Sequence, residues 1–370
     1  MTDLFNRSIE IILENQSQWG SYIASPEFPN YHYCWLRDGS FTAHAMDCVG
    51  QHASAESFFR WVDMVINRYA AKVDELEQSL KKGSDVGKDI ILHTRFTLDG
   101  FEGTADSTWG NFQIDGYGTW LWALAEHVRR TGNYALLNEL SASITTTLRY
   151  LALTWKMPNY DCWEEHPAYL HPYSLACVYG GVHEMALLQE EGKIQGMEMD
   201  LASLAAGVQK FIIDYGVVNG RFVKHIWPSR GDEPAKPMAK SAADSSLLGM
   251  VYPFKVLDAH DPLMIATAQE IMEKLYRPRG GVYRYLADVY YGGGEWVLLT
   301  AWLAIHNLQL GRRDLAILMM SWIEEQADAR GNLPEQVSDH MLAPTHFEPW
   351  VQKWGPVAKP LLWSHAMYLL

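Results

Sequence analysis

The chain has 370 residues, 48% of them hydrophobic, which suffices for a large core and, by length alone, for two or three domains. Its formal net charge of −14, with no basic cluster, argues against nucleic acids and anionic membranes as partners. Four cysteines are too few and too scattered for a disulfide framework, and the first residues lack the pattern of a signal peptide. The longest apolar stretch, residues 295–310, is shorter than a membrane span. We therefore expect a reduced, cytoplasmic protein.

Apolar residues recur at helical spacing through most of the chain, and almost no stretch alternates with the period of a strand. This pattern predicts an all-α protein of about twelve helices. The mixed-charge run 71–89 is predicted to be a solvated loop or a frayed helix end. The predicted helices lie near residues 3–14, 40–49, 52–70, 113–131, 134–155, 173–190, 197–214, 241–250, 261–275, 295–310, 312–327 and 361–370.

Short and long connectors alternate between these predicted helices, and the long ones hold most of the Gly, Pro, Trp and charged residues. If consecutive helices are antiparallel, every long connector lies at the same end of the molecule. Six buried and six amphipathic helices then favour an inner and an outer ring, an (α/α)6 barrel that closes on itself. We expect residues 1–370 to form this barrel as one catalytic domain. The long connectors span residues 15–39, 71–112, 156–172, 215–240, 276–294 and 328–360.

The long connectors and the start of the last helix carry clusters of aromatic and charged residues. Flat aromatic rings beside polar groups suit sugar rings, and the chain has 15 Trp and 19 Tyr. We expect these segments to meet at the mouth of the barrel. In chain order they are "NYHYCWLRDGS" (30–40), "STWGNFQIDGYG" (107–118), "YDCWEEH" (160–166), "RYLADVYYGGGEW" (284–296), "NLPEQV" (332–337) and "PLLWSHA" (360–366).

Two carboxylates in different mouth segments, Glu164 and Glu335, meet the requirement of glycoside hydrolysis for an acid on one side of the bond and a base on the other. If Glu164 reaches the pocket, ionised Asp161 and Glu165 would raise its pKa and keep it protonated near neutrality. A metal is not expected, because His166 and His171 lack a convincing third ligand and no metal-binding spacing occurs. The glycine run 292–294 does not fit a nucleotide-binding motif, and no cofactor is implied.

In these segments the sequence resembles glycoside hydrolase family 15, the glucoamylase family, over most of the chain and in matching order. The resemblance agrees with the (α/α)6 barrel and implies that Glu164 is the general acid. Glu335 would be the general base that activates water, which gives inversion at the anomeric carbon. The resemblance assigns substrate binding or support of the site to Tyr31, Trp35, Arg37, Asp38, Trp109, Asp161, Trp163, Glu165, Arg284, Tyr290 and Trp363.

Among these residues, Arg37 and Asp38 would bind hydroxyls of the terminal glucose, and Trp35, Trp109 and Trp363 would shape its subsite. Arg284 would help to hold the sugar, and Glu165 the neighbouring unit. Tyr31 would lie near the catalytic water and base, with Tyr290 beside it. Asp161 would support the acid loop.

The chain has neither the N-terminal β-sandwich of many bacterial members nor a starch-binding domain, and it looks most similar to the compact bacterial isomaltose-hydrolysing branch. We therefore expect an exo-acting, inverting α-glucosidase on short α-1,6-linked glucans. A glucoamylase on α-1,4 linkages and a trehalase of the same family are the nearer alternatives. A non-catalytic sugar-sensing toroid, or a metal-dependent hydrolase or isomerase on a similar toroid, belongs to a different class. The retention of both carboxylates argues against the non-catalytic one.

Overall fold

The computed structural model describes residues 4–84, 86–103 and 110–370, and helices dominate this part of the chain. Among these residues, no helix combines the length and the apolar character needed to cross a membrane. The α-helices are α1 Leu4–Glu14, α2 Leu36–Cys48, α3 His52–Arg68, α4 Ala70–Lys81, α5 Asp115–Thr131, α6 Ala135–Glu139, α7 Ser141–Thr154, α8 Pro172–Glu190, α9 Leu201–Tyr215, α10 Pro262–Lys274, α11 Val297–Gln309, α12 Arg313–Glu325, α13 Phe347–Trp354 and α14 Leu362–Leu369.

The strands are two residues long and pair only within the connectors. The described residues form four such pairs, all of them antiparallel. They tie one connector to another or fold a connector back on itself. The pairs are Cys34–Trp35 with Arg95–Phe96, Val217–Val218 with Arg221–Phe222, Ile226–Trp227 with Lys236–Pro237, and Glu295–Trp296 with Gln336–Val337.

The inner helices form a closed ring. Helix α2 packs against α5, α5 against α8, and α8 against the 3-10 helix Ser245–Met250, which in turn packs against α11. Helix α14 contacts both α11 and α2 and so completes the circle. The outer helices α1, α3, α7, α9, α10 and α12 each lie against the ring, as an (α/α)6 barrel requires. The predicted fold is confirmed.

Helices α5 and α8 approach each other more closely than side chains would permit. A Cβ atom on Gly118 would lie 2.1 Å from the carbonyl oxygen of Cys177, and one on Gly181 would lie 2.2 Å from that of Gly118. Only glycine can occupy such contact points, because any side chain would overlap the facing backbone. The two glycines therefore set the spacing of neighbouring inner helices.

Four features of the helix prediction are wrong or incomplete. The run 71–89, predicted as a solvated loop or a frayed helix end, contains most of α4, in which only Val73 and Leu76 are buried and many of the other residues are charged or polar. Helix α13 lies inside the predicted connector 328–360. The helix predicted over 134–155 is broken into α6 and α7 at Leu140, and the one predicted over 241–250 is a 3-10 helix.

Candidate active site

The long connectors meet at one end of the barrel around a cavity of about 310 Å³, a size that suits a small ligand. The barrel beneath this cavity is filled. Trp363 stacks on Phe41 at 5.3 Å between ring centroids, and Phe41 contacts Trp122 and Trp302. The cavity is therefore a dead end rather than a channel. It is lined by Ala24, Phe28, Asn30, Tyr31, Trp35, Arg37, Asp38, Gly110, Cys162, Trp163, Glu164, Glu165, Arg284, Val289, Tyr290, Trp296, Glu335, Trp350, Lys353, Trp354, Leu361 and Trp363.

The segment 160–166 is a tight loop held by Asp161. One oxygen of the Asp161 carboxylate accepts hydrogen bonds from the backbone N–H groups of Trp163 at 3.0 Å and Glu165 at 2.9 Å. The Trp163 indole N–H donates to Asp244 at 2.9 Å, which anchors the loop to a different connector. Glu164 has a φ of +65°, a left-handed conformation that costs energy in a non-glycine residue and is found mainly at functional sites. The loop thus presents Glu164 to the cavity.

The Glu164 carboxylate lies in the cavity with few partners. Its Oε1 accepts a hydrogen bond of 2.6 Å from the Trp35 indole N–H, and the nearest cation is the Arg37 guanidinium at 4.0 Å. Burial is the largest influence on this group and raises the pKa of Glu164 to about 7, although Arg37 opposes the shift. The sequence analysis predicted repulsion by ionised Asp161 and Glu165 as the cause of the raised pKa of Glu164. Asp161 is engaged with the backbone, and Asp38 is the carboxylate that adds most to the rise in pKa.

Glu335 enters the cavity from the connector before α14. Its backbone N–H donates to the carbonyl of Ala358 at 2.9 Å, and the adjacent Gln336 accepts from the N–H of Gly294 at 2.8 Å, which fixes the segment on both sides. The carboxylate accepts a hydrogen bond of 3.0 Å from the Tyr31 hydroxyl at Oε1. Burial raises the pKa of Glu335 to about 8, against the influence of Tyr31. Its Oε2 is buried without a hydrogen-bond partner among the described residues.

Arg37 lies at the closed end of the cavity. Its guanidinium donates to Asp115 at 2.9 Å and to Gln113 at 3.0 Å, lies 3.3 Å from the Asp38 carboxylate, and sits over the Trp363 ring at 5.4 Å. Burial raises the pKa of Asp38 to about 6. A fixed cation beside a carboxylate offers both donors and acceptors to sugar hydroxyl groups.

Arg284 occupies the opposite wall. It forms a two-point ion pair with Asp288, at 2.7 and 2.5 Å, which fixes the plane of the guanidinium. The same group lies 3.7 Å from Glu165, whose other oxygen accepts a hydrogen bond from Tyr285. Four aromatic rings surround the cation at 5.1 to 5.5 Å from their centroids: Trp163, Tyr285, Tyr290 and Trp296. The wall is therefore rigid and both charged and aromatic.

The structure brings the predicted residues together, with two exceptions. Trp109 lies outside the described residues. Asp161 does not line the cavity but holds the acid loop from beneath, the supporting position suggested by the resemblance. Eleven further residues line the cavity but had no role predicted from the sequence: Ala24, Phe28, Asn30, Gly110, Cys162, Val289, Trp296, Trp350, Lys353, Trp354 and Leu361.

The sequence analysis did not predict helix α13, which supplies Trp350, Lys353 and Trp354 to the rim of the cavity. The two tryptophans stand four residues apart, the spacing of neighbours on one helix face, and this was the available signal. Phe347, Trp350, Val351 and Trp354 do form an apolar stripe, but the helix has only eight residues and none of them is buried, so the signal is short.

The chain matches the model of one protein family over most of its length. The family model described as glycosyl hydrolases family 15 matches residues 3–321. A curated relative, isomaltose glucohydrolase of Kribbella flavida, is 38% identical over 371 residues, an alignment that covers 100% of this chain and 91% of the relative. An uncharacterized glycosyl hydrolase of Methanocaldococcus jannaschii is 26% identical, and the alignment covers 98% of this chain and 54% of that protein.

Solved structures give the same result. A structure described as "Glycosidase Wild Type" matches with a TM-score of 0.91 and 38% identity, covering 99% of this chain and 94% of its own. A bacterial glucoamylase in complex with acarbose matches with a TM-score of 0.75 at 20% identity, covering 99% of this chain and 54% of that one. The second match is a likeness of fold alone.

Proposed function

The chain belongs to glycosyl hydrolases family 15, and we propose that it is an exo-acting, inverting α-glucosidase that releases β-glucose from short α-1,6-linked glucans such as isomaltose. The observation that carries the proposal is the pair Glu164 and Glu335. They come from different connectors, face the same dead-end cavity, and are each held by one hydrogen-bond donor, Trp35 and Tyr31 respectively. Two carboxyl groups across a sugar site are the machinery of glycoside hydrolysis.

Glu164 acts as the general acid. Its pKa near 7 keeps a proton available at neutral pH. Because the Trp35 indole N–H occupies Oε1, the acidic proton belongs on Oε2. Transfer of this proton to the glycosidic oxygen lets the C–O bond break, and the positive charge that develops on the glucose ring is stabilised by the surrounding carboxylates.

Glu335 acts as the general base. A water on the opposite face of the ring loses its proton to Glu335 as its oxygen bonds to the anomeric carbon, which inverts the configuration. Oε2 has no partner among the described residues and can accept from this water, while Tyr31 holds Oε1. The hydrogen bond from water stabilises the ionised carboxylate and so lowers its pKa from the value set by burial.

The closed end of the cavity supports action at chain ends. Arg37 and Asp38 offer hydrogen bonds to the hydroxyl groups of one terminal glucose, and Trp363 supplies a flat face beneath. A longer glucan cannot thread past the packed Phe41, Trp122 and Trp302. The second sugar unit then lies toward Glu165 and the α13 rim.

The preference for an α-1,6 linkage rests on the Kribbella flavida relative, whose printed name is isomaltose glucohydrolase. α-1,4 glucosides and trehalose are the alternatives, because the same acid and base serve any α-glucoside whose second sugar fits the rim. A sugar-sensing toroid without catalysis is disfavoured because both carboxylates are present and line the same cavity. A metal-dependent hydrolase or isomerase predicts loss of activity on chelation.

We further propose that the catalytic unit is one barrel. We also propose a cytoplasmic location, which is supported by four cysteines that are all free thiols, as expected in a reducing compartment. Its partner is a small oligosaccharide.

A proton NMR time course with isomaltose, maltose and trehalose supplied separately tests the proposal. We expect β-glucose to appear first, and fastest from isomaltose. Early β-glucose mainly from maltose or trehalose would keep the mechanism and replace the substrate. From isomaltose or maltose, early α-glucose in excess of the α anomer already present at the reducing end would contradict inversion. No glucose from any of the three would contradict the activity on short glucans.

A further inference from the structure

At the acid loop, three potential metal ligands that do not line the cavity converge. Asp161, His166 and His225 each place one donor atom so that the three atoms lie within 4.8 Å of one another. His225 lies 59 residues beyond His166 in the sequence and supplies the third ligand that sequence spacing does not reveal. Asp161 and His225 are buried, and His166 is exposed, so an ion can reach the group from solvent.

The protonation of His225 follows from its neighbours. The Nε2 atom of His171 lies 2.7 Å from the carbonyl oxygen of Asn159, which can only accept, so His171 carries its proton on Nε2. The Nδ1 atoms of His171 and His225 are 3.0 Å apart, and therefore His225 must donate from Nδ1. The lone pair of His225 is left on Nε2.

Metal-binding histidines typically donate the N–H that does not face the metal to a fixed acceptor, and Nδ1 of His171 is that acceptor for His225. The lone pair that this hydrogen bond leaves on Nε2 of His225 is the donor that an imidazole offers to a metal ion. A neutral imidazole is the form that binds a metal ion.

Asp161 provides an independent observation. One of its oxygens accepts from the loop backbone, but Oδ2 is buried and has no hydrogen-bond partner among the described residues. The nearest cation, the Lys224 ammonium, lies 3.7 Å from this oxygen and closer to Asp244, at 3.1 Å, and to the Tyr285 ring. Lys224 thus leaves Oδ2 open, although its charge weakens the attraction for a second cation.

From this geometry we propose that Asp161, His166 and His225 form an inhibitory site for a divalent transition metal, with Zn²⁺ as the best fit. Two imidazoles and one carboxylate are ligands that Zn²⁺ takes in proteins, with water in the fourth position. Zinc bonds of 2.0–2.1 Å place tetrahedral ligand atoms about 3.3 Å apart, so His166, the exposed member, moves toward the other two.

The movement of His166 connects the metal to catalysis. His166 stands two residues after Glu164, and both have a left-handed backbone, with φ of +56° and +65°. Drawing His166 toward Asp161 shifts the backbone that aims Glu164 and Glu165 at the cavity. The ion therefore lowers the turnover number, whereas the hydrolysis itself needs no metal.

The test compares zinc binding and inhibition in the wild type, His166→Asn and His260→Asn. Asparagine tolerates the left-handed backbone at position 166 better than most residues, so that variant removes the imidazole with little strain. His260 is an exposed histidine, 69% accessible in its side chain, outside the three-residue group, and serves as the matched control. Binding is measured by calorimetry with Zn²⁺ alone, and turnover is measured in chelator and at increasing free Zn²⁺.

We expect the wild type and His260→Asn to bind one Zn²⁺ per chain and to lose activity as it binds. In His166→Asn both the dissociation constant and the inhibitory concentration should rise at least about 10-fold. Equal binding in all three proteins, or no binding at micromolar Zn²⁺, would overturn the proposal. Binding is read without substrate, so failure of the site is distinguishable from failure of the proposed function.

Discussion

The Tyr31 hydroxyl donates a hydrogen bond of 3.0 Å to Oε1 of Glu335, across 304 residues of sequence. The Tyr290 hydroxyl lies 2.8 Å from that of Tyr31. Because Tyr31 gives its single proton to Glu335, Tyr290 must be the donor in the second bond. The base is therefore held by a chain of two hydroxyl groups that draws on three separate connectors.

Replacement of Tyr31 by Phe should move the acidic limb of the pH profile upward. The hydrogen bond from Tyr31 stabilises ionised Glu335 and lowers its pKa, so its loss raises that pKa further above the usual value. Catalysis by this pair requires the pKa of Glu335, once water binds its Oε2, to lie below that of Glu164. The ionised base is then lost as the pH falls through its pKa, and the midpoint of this limb in kcat/KM should rise. Measurement of kcat/KM against pH for both proteins checks the shift.

Tyr290→Phe should give a smaller shift of the acidic limb than Tyr31→Phe and serves as the comparison. Tyr290 lies one step behind Tyr31, so its removal should shift the same limb in the same direction but by less. An unchanged acidic limb in Tyr31→Phe would show that Glu335 is not the group that must be ionised.

Replacement of Trp35 by Phe should move the alkaline limb of the pH profile. The indole N–H donates to Glu164 and lowers its pKa, so the variant raises the pKa of the acid above about 7. The protonated form then survives to higher pH, and the alkaline limb of kcat/KM should move upward. Trp296→Phe is the control, since Trp296 lines the same cavity but its indole N–H has no hydrogen-bond partner among the described residues. An equal shift in both variants would refute the role of the hydrogen bond.

Glu164→Gln and Glu335→Gln should each lower kcat by at least about 100-fold on a natural glucoside, because each removes one partner of general acid–base catalysis. The two losses are separable with α-glucosyl fluoride, whose leaving group departs without strong protonation. Hydrolysis of the fluoride should recover largely in Glu164→Gln and stay low in Glu335→Gln. The reverse pattern would exchange the two roles.

Much of the fold was predictable because the inner helices carry strong apolar signals. Helix α11 is apolar nearly all round and is buried along most of its length, as the sequence indicated. Helix α4 was not predictable in the same way, since only Val73 and Leu76 are buried in a highly charged run. The charged face of such a helix is stabilised by pairs such as Lys81 with Glu77 and reads in the sequence like a solvated loop.

The candidate site was recognisable from its motifs, but the contacts that tune it were not. The crowded carboxylates of the acid loop suggested electrostatic repulsion as the cause of a raised pKa at Glu164. In the folded chain burial dominates, and Asp161 is occupied with backbone N–H groups. Partners such as Asp244 for Trp163 lie about 80 residues away and follow from the closure of the barrel, which spacing along a sequence does not reveal.

Gly118→Ala tests the packing that closes the barrel. An added methyl group would meet the backbone of Cys177 on α8, and neither main chain can yield without disturbing the inner ring. Overpacking of this kind costs about 1–3 kcal/mol in the free energy of unfolding. Gly207→Ala, in the interior of α9, is the matched control, because no atom lies within 4 Å of the added Cβ. It should stabilise the protein by about 0.4–1 kcal/mol through a less flexible unfolded chain. Chemical denaturation of both variants measures the two changes, and destabilisation by both would mean that glycine is needed for some reason other than the approach of α5 to α8.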